Sequence, residues 1–169
     1  CIFYLPPVVE DVSGCSNEEI PPLVAEGTDI RWYSDENLTN ELWNANEYDP
    51  EITTPGVYTF YVTQSSDLCT SEAVMVTLTV ISAPILSAEI THIDCQGTEL
   101  GAINLSVEGE GPFNYLWSNG QITQDVTGLT AGEYSVTVSG VNGCSNFESF
   151  TVSSPSEIEL EIITQETEC

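Results

Sequence analysis

Positive charge is almost absent from this chain. One arginine, Arg31, and no lysine stand against 27 acidic residues, a formal net charge of -26 over 169 residues. A surface of that sign repels phosphate backbones and anionic headgroups, which excludes nucleic acid and acidic membranes as partners. Long hydrophobic runs are missing too. The longest, Val74 to Ile81, falls far short of the ~20 residues a bilayer-spanning helix needs, so no membrane insertion is expected. No CxxC pair occurs, and zinc knuckles and thioredoxin-like motifs need that close spacing. Histidine is reduced to His92. Asp94 lies two residues on, but no G-x-S-x-G context or second base accompanies them, so no catalytic residue is assigned and the chain is not expected to be an enzyme.

A helical period is equally scarce; short alternating segments take its place. Thr28–Tyr33, Val57–Thr63 and Val74–Ile81 alternate in the first half, and Ala102–Val107, Phe113–Trp117, Tyr134–Val138 and Phe147–Val152 in the second. Turn residues punctuate them at Pro55-Gly56, Gly109 to Pro112, Asn119-Gly120, Gly128 and Asn142-Gly143. With 41% hydrophobic residues the chain has a core to bury, so disorder is excluded. Short strands at this spacing predict an all-β sandwich architecture.

Cysteine and proline set the organisation. Pro6-Pro7 leads to Cys15, Pro84 to Cys95 and Pro155 to Cys169. The recurrence predicts similar modules in series: the end of a preceding module at 1–7, sandwiches at 8–82 and 85–155, and the first strand of a following module at 156–169. Modules this small are marginal, and a disulfide closing about 50 residues adds around 4 kcal/mol in the chain-entropy account. The natural pairs are Cys15–Cys69 and Cys95–Cys144, one per module, with Cys1 and Cys169 pairing outside these modules or left unpaired by truncation. Structural disulfides imply an oxidising, extracellular setting.

The acidic residues are a solvated coat or a set of oxygen ligands, and Ca²⁺ is the cofactor such ligands would take. Candidate ligands are Asp35, Glu36, Glu47 and Asp49 in the polar stretch 37–49 and its flanks, and Glu89, Asp94 and Glu99 near the second module's start. Neither an EF-hand nor a glycine-rich β-roll spacing is present. Of three tryptophans, Trp32 and Trp117 sit mid-strand and are expected to pack in a core against the disulfide. Trp43 lies in the polar stretch, and an exposed loop aromatic is the candidate ligand contact.

Cys95, Gly101 to Leu105, Pro112 to Gly120, Gly128 to Val138 and Gly143-Cys144 together resemble the SprB repeat of very large surface adhesins from gliding bacteria. Cys15, Trp32-Tyr33, Pro55 to Tyr58, Cys69 and Val74, Leu78 and Val80 resemble the immunoglobulin-like domains that accompany such repeats. The resemblance implies tandem immunoglobulin-like β-sandwich modules, export by the type IX route, and a role in cell-surface adhesion, filaments or gliding motility. Expected partners are neighbouring modules of the same chain, other filament subunits, and surface polysaccharide or a host or substratum. A different class of function, a carbohydrate-binding or spacer region of a secreted polysaccharide-degrading enzyme, is the alternative.

Overall fold

The computed structural model describes residues 4–94 and 100–155. These form two compact units. The first comprises 4–85 together with 108–113 and 138–146; the second comprises 86–94, 100–107, 114–137 and 147–155. Segments 108–113 and 138–146 thus belong with the first unit, although in sequence they fall inside the expected second module. Every described element is a strand, turn or bend.

The first unit contains β1 (Val8–Val9), β2 (Val12–Cys15), β3 (Leu23–Glu26), β4 (Ile30–Tyr33), β5 (Glu41–Trp43), β6 (Glu47–Tyr48), β7 (Gly56–Ser66), β8 (Cys69–Thr70) and β9 (Val74–Ile81). One sheet runs β1-β3-β6 and the other β2-β9-β7-β4-β5, with β8 paired to β7. Strand β2 joins β9 in parallel, Val12 opposite Leu78 and Cys15 opposite Ile81. The remaining pairings of the larger sheet are antiparallel. This is immunoglobulin-like order: A, B and E in one sheet, and A′, G, F, C and C′ in the other.

Alternation explains the core. Leu23 and Ala25 on β3 face Ile30, Trp32, Phe60, Val62, Val76, Leu78 and Val80 of the larger sheet in one buried cluster. Trp32 is fully buried, and its indole N–H donates to Ala45 O at 2.8 Å. Burying about 200 Å² of tryptophan is worth about 5 kcal/mol by area. Tyr58, at the start of β7, donates its hydroxyl to Thr54 O at 2.9 Å, the tyrosine corner of such sandwiches.

The second unit draws on β10 (Ile85–Thr91), β11 (Gly101–Glu108), β12 (Phe113–Trp117), β13 (Val126–Leu129), β14 (Gly132–Gly140) and β15 (Ser145–Val152). They form two three-stranded sheets, β10-β11-β13 and β12-β14-β15. Ile103, Leu105, Val126 and Leu129 are buried from the first, and Trp117, Val136 and Val152 from the second. The two sheets meet so closely at Gly101 that an added Cβ would collide with Val152 Cγ1. Trp117 donates its indole N–H to Thr123 O at 2.8 Å, and Tyr134 donates to Thr130 O at 3.1 Å. At the turn after β12, Gly120 takes φ +85°, a conformation open to glycine at little cost.

The disulfide framework differs from the expected one. Cys15 is bonded to Cys144, 129 residues away, with a Cα–Cα distance of 5.7 Å. Both expected pairs, Cys15–Cys69 and Cys95–Cys144, are thereby overturned. Register supplies the reason. Cys15 lies opposite Ile81, at one end of β9, whereas Cys69 lies opposite Ser66, beyond the Val62–Val74 pair at the other end. Seven residues of strand span about 23 Å, and a disulfide bridges Cα atoms less than about 7 Å apart. The buried cluster that Ala25 of β3 and Phe60 of β7 share is made of hydrophobic side chains other than cysteine. Trp32 therefore packs on hydrophobic side chains and not on a disulfide. Cys69 is itself disulfide-bonded; Cys1, Cys95 and Cys169 lie outside the described residues.

Candidate functional site

Trp43 stands apart from the other tryptophans. It is 52% exposed, against 0% for Trp32 and 1% for Trp117. It ends β5, the outermost strand of the larger sheet, where it pairs with Trp32 in a register that then shifts by a bulge. Beside it lies an open depression of about 520 Å³, lined by Trp43, Ala45, Glu47, Tyr48, Asp49 and Glu51.

The walls of this depression are tied to the core. Ala45 O accepts the buried Trp32 indole N–H. Asn46 spans to β3 twice, its O accepting Ala25 N–H at 2.8 Å and its Nδ2 donating to Ala25 O at 3.0 Å. The Tyr48 ring packs edge-on against Phe60, centroids 5.5 Å apart, and tilted against Trp32 at 5.8 Å. Burial pushes the Tyr48 hydroxyl above its ordinary pKa of 10.0, and the Asp49 charge pushes in the same direction. Asp49 Oδ1 accepts Glu51 N–H at 2.8 Å and closes the far lip.

The expected calcium ligands among the described residues are not brought together. Among the described residues no group of three or more histidine, cysteine, aspartate or glutamate side chains could hold a metal ion. Several aspartates accept backbone N–H groups instead. Asp35 accepts from Thr39 N at 3.1 Å, Thr39 Oγ1 at 3.0 Å and Asn40 N at 2.8 Å. Those bonds, Thr39 N–H foremost, hold its pKa below the usual 3.8. Asp11 accepts Thr77 N–H at 2.7 Å and Asp125 accepts Leu105 N–H at 2.9 Å. Glu36, Glu47 and Glu89 stand exposed, Asp94 is half-buried, and Glu99 lies outside the described residues. His92 Nδ1 accepts Ser153 N–H at 3.1 Å, so this histidine fastens backbone.

Arg31 compensates charge at one corner of the first unit. Arg31 pairs with Glu41 at 3.2 Å and Asp29 at 3.6 Å, which raises its pKa through the Glu41 hydrogen bond and then the Asp29 charge. No other lysine or arginine exists in the chain, so the three carboxylates at the Trp43 depression have no side-chain cation of this kind. Sequence reading singled out Trp43 and gave Glu47 and Asp49 a metal-binding role. It missed Tyr48, whose ring reaches both core and depression; the apolar-after-acid step Glu47-Tyr48 was the available signal.

No protein-family model and no curated relative matches the chain. Among solved structures, an amphioxus IgVJ-C2 molecule is similar at 15% identity and TM-score 0.35, over 89% of this chain and 99% of that one. A C-terminal 282-residue fragment of intimin, in complex with the intimin-binding domain of its translocated receptor, is similar at 13% identity and TM-score 0.44, over 86% and 62%. A tri-modular endo-β-1,4-glucanase B from Bacillus halodurans follows at 11% and 0.28, over 87% and 35%. The chain thus spans less than two thirds of the latter two. The immunoglobulin-like assignment rests on the strand order of the first unit, and scores below 0.5 add nothing to it.

Proposed function

We propose that this chain is a non-catalytic, adhesive or load-bearing segment of a large extracellular protein, built from sandwich modules in series. The observation that carries the proposal is repetition of construction. Each unit has a buried tryptophan donating to a backbone carbonyl and a tyrosine hydroxyl locking the start of a long strand. A disulfide between residues 129 apart adds a covalent clamp. These devices make persistence and position. The SprB-repeat resemblance sharpens the reading to a surface adhesin exported by the type IX route and acting in attachment or gliding. The acidic coat, short-range once salt screens it, keeps such a filament soluble.

Antibodies raised against this chain test the proposal on intact source cells. Surface labelling, with loss of attachment when the antibody is added, is the expected result. Recovery of the antigen only as a soluble protein copurifying with polysaccharide-cleaving activity would favour the spacer-module alternative.

A further inference from the structure

We propose that the Trp43 depression binds an amino-sugar chain, with the indole face as stacking platform and Glu47, Asp49 and Glu51 facing the sugar's ammonium groups. The concavity and the exposed ring carry the site; the carboxylates decide what charge it takes. An indole 52% exposed at the edge of a depression of about 520 Å³ presents a flat apolar face where a pyranose ring can lay its C–H groups. That volume lies within the roughly 300–1,000 Å³ common for small-ligand sites. The platform is built in advance. Ala45 and Asn46, which follow Trp43, are fixed by the Trp32 indole and by β3, and Tyr48 is held by two core rings. Little ordering therefore opposes binding.

Ligand charge follows from the surroundings. Arg31 is engaged by Glu41 and Asp29, and the sequence has no second arginine and no lysine. Uronic-acid or sulfated chains would meet uncompensated repulsion. An ammonium group gains both from the carboxylates and from the negative face of Trp43. A glycosidic chain is favoured over a lysine side chain because the exposed surface is a plane the size of a sugar ring, and a lone ammonium would leave most of it in water. An open site of this kind binds weakly, and repetition along an array would multiply it. The inference is independent of export and adhesion, because binding is read on the purified chain alone.

The test titrates the chain with a fully deacetylated glucosamine hexamer at pH 5.5 and follows tryptophan emission and heat. The N-acetylated hexamer, an oligouronate and hexalysine serve as separate arms. The expected result is saturable binding of the glucosamine hexamer that changes Trp43 emission. It should weaken about tenfold in Trp43→Ala, persist in part in Trp43→Phe, and weaken in Glu47→Gln/Glu51→Gln, with unchanged circular dichroism in each variant. The proposal is overturned if the glucosamine hexamer gives no saturable signal or if Trp43→Ala binds it as well as the parent. Equal binding of the oligouronate, the N-acetylated hexamer or hexalysine at the same tryptophan would overturn it too.

Discussion

The two units use the same indole-to-carbonyl bond to close loops of different length. Trp117 reaches an acceptor six residues on, and Trp32 reaches one thirteen residues on. In the second unit the short path leaves β12 at the edge of its sheet. In the first, the longer path makes room for β5, which adds a strand beyond β4 and ends on the exposed Trp43. One unit therefore carries an edge strand whose tryptophan is buried, and the other an edge strand whose tryptophan is exposed. The shared parts are buried and hydrogen-bonded; the added part is where a surface property appears.

The largest expected effect separates the units by covalent support. Replacing both Cys15 and Cys144 with alanine removes a cross-link closing 129 residues, about 5 kcal/mol in the chain-entropy account. Urea unfolding should show a midpoint lowered accordingly. Non-reducing peptide mapping of the parent should give a Cys15–Cys144 peptide, and a Cys15–Cys69 peptide would break the register argument.

In the second unit the sheets approach closely at Gly101. Gly101→Ala drives a methyl into Val152 and toward the Thr91 and Leu129 carbonyls, an overpacking cost of about 1–3 kcal/mol. Thermal unfolding monitored by circular dichroism should register that loss; a neutral result would mean that the sheets separate easily there.

Smaller effects test what the units share. Tyr58→Phe and Tyr134→Phe each delete one hydroxyl-to-carbonyl bond, about 1 kcal/mol apiece. Similar losses at the two positions are expected in urea titrations. A cost at one tyrosine alone would deny them a common role.

Much of this frame was legible in the sequence. Central strand β9 alternates along its length and its buried set follows from parity alone, whereas in β7 parity gives Phe60 and Val62 but not the buried Thr63 and Ser65. Trp32 and Trp117 are legible as core residues from their mid-strand places, and both are buried. Strands β1, β5 and β6 were not legible, since two or three residues hold no period. Disulfide pairing escaped because even spacing along the chain says nothing of which end of β9 a cysteine lies beside. The role of the acids was left open in the sequence for a chemical reason: carboxylate composition is identical for a calcium ligand, a solvated coat and a backbone cap, and only geometry distinguishes them. Asp35, with Thr39 four residues on and Asn40 five on, is such a cap.

That cap gives the smallest and most local expectation. Because the folded Asp35 pKa lies below 3.8, its contribution is present above the unfolded value. It is lost as pH falls through the folded one. Carboxyl NMR titration should place the Asp35 midpoint under pH 3.8, and Asp35→Asn should flatten the acid limb of stability between pH 4 and 2, about the range where such carboxyls titrate. A midpoint at or above 3.8 would remove the Thr39 and Asn40 bonds from solution.

Acrylamide quenching of tryptophan emission, compared between the parent chain and Trp43→Phe, tests the contrast between scaffold and added edge most directly. Two tryptophans are buried and one is exposed. The parent should show one readily quenched component, and Trp43→Phe should lose it, leaving emission that is blue-shifted and shielded. Quenching that survives unchanged in Trp43→Phe would place Trp32 or Trp117 in water and contradict the account.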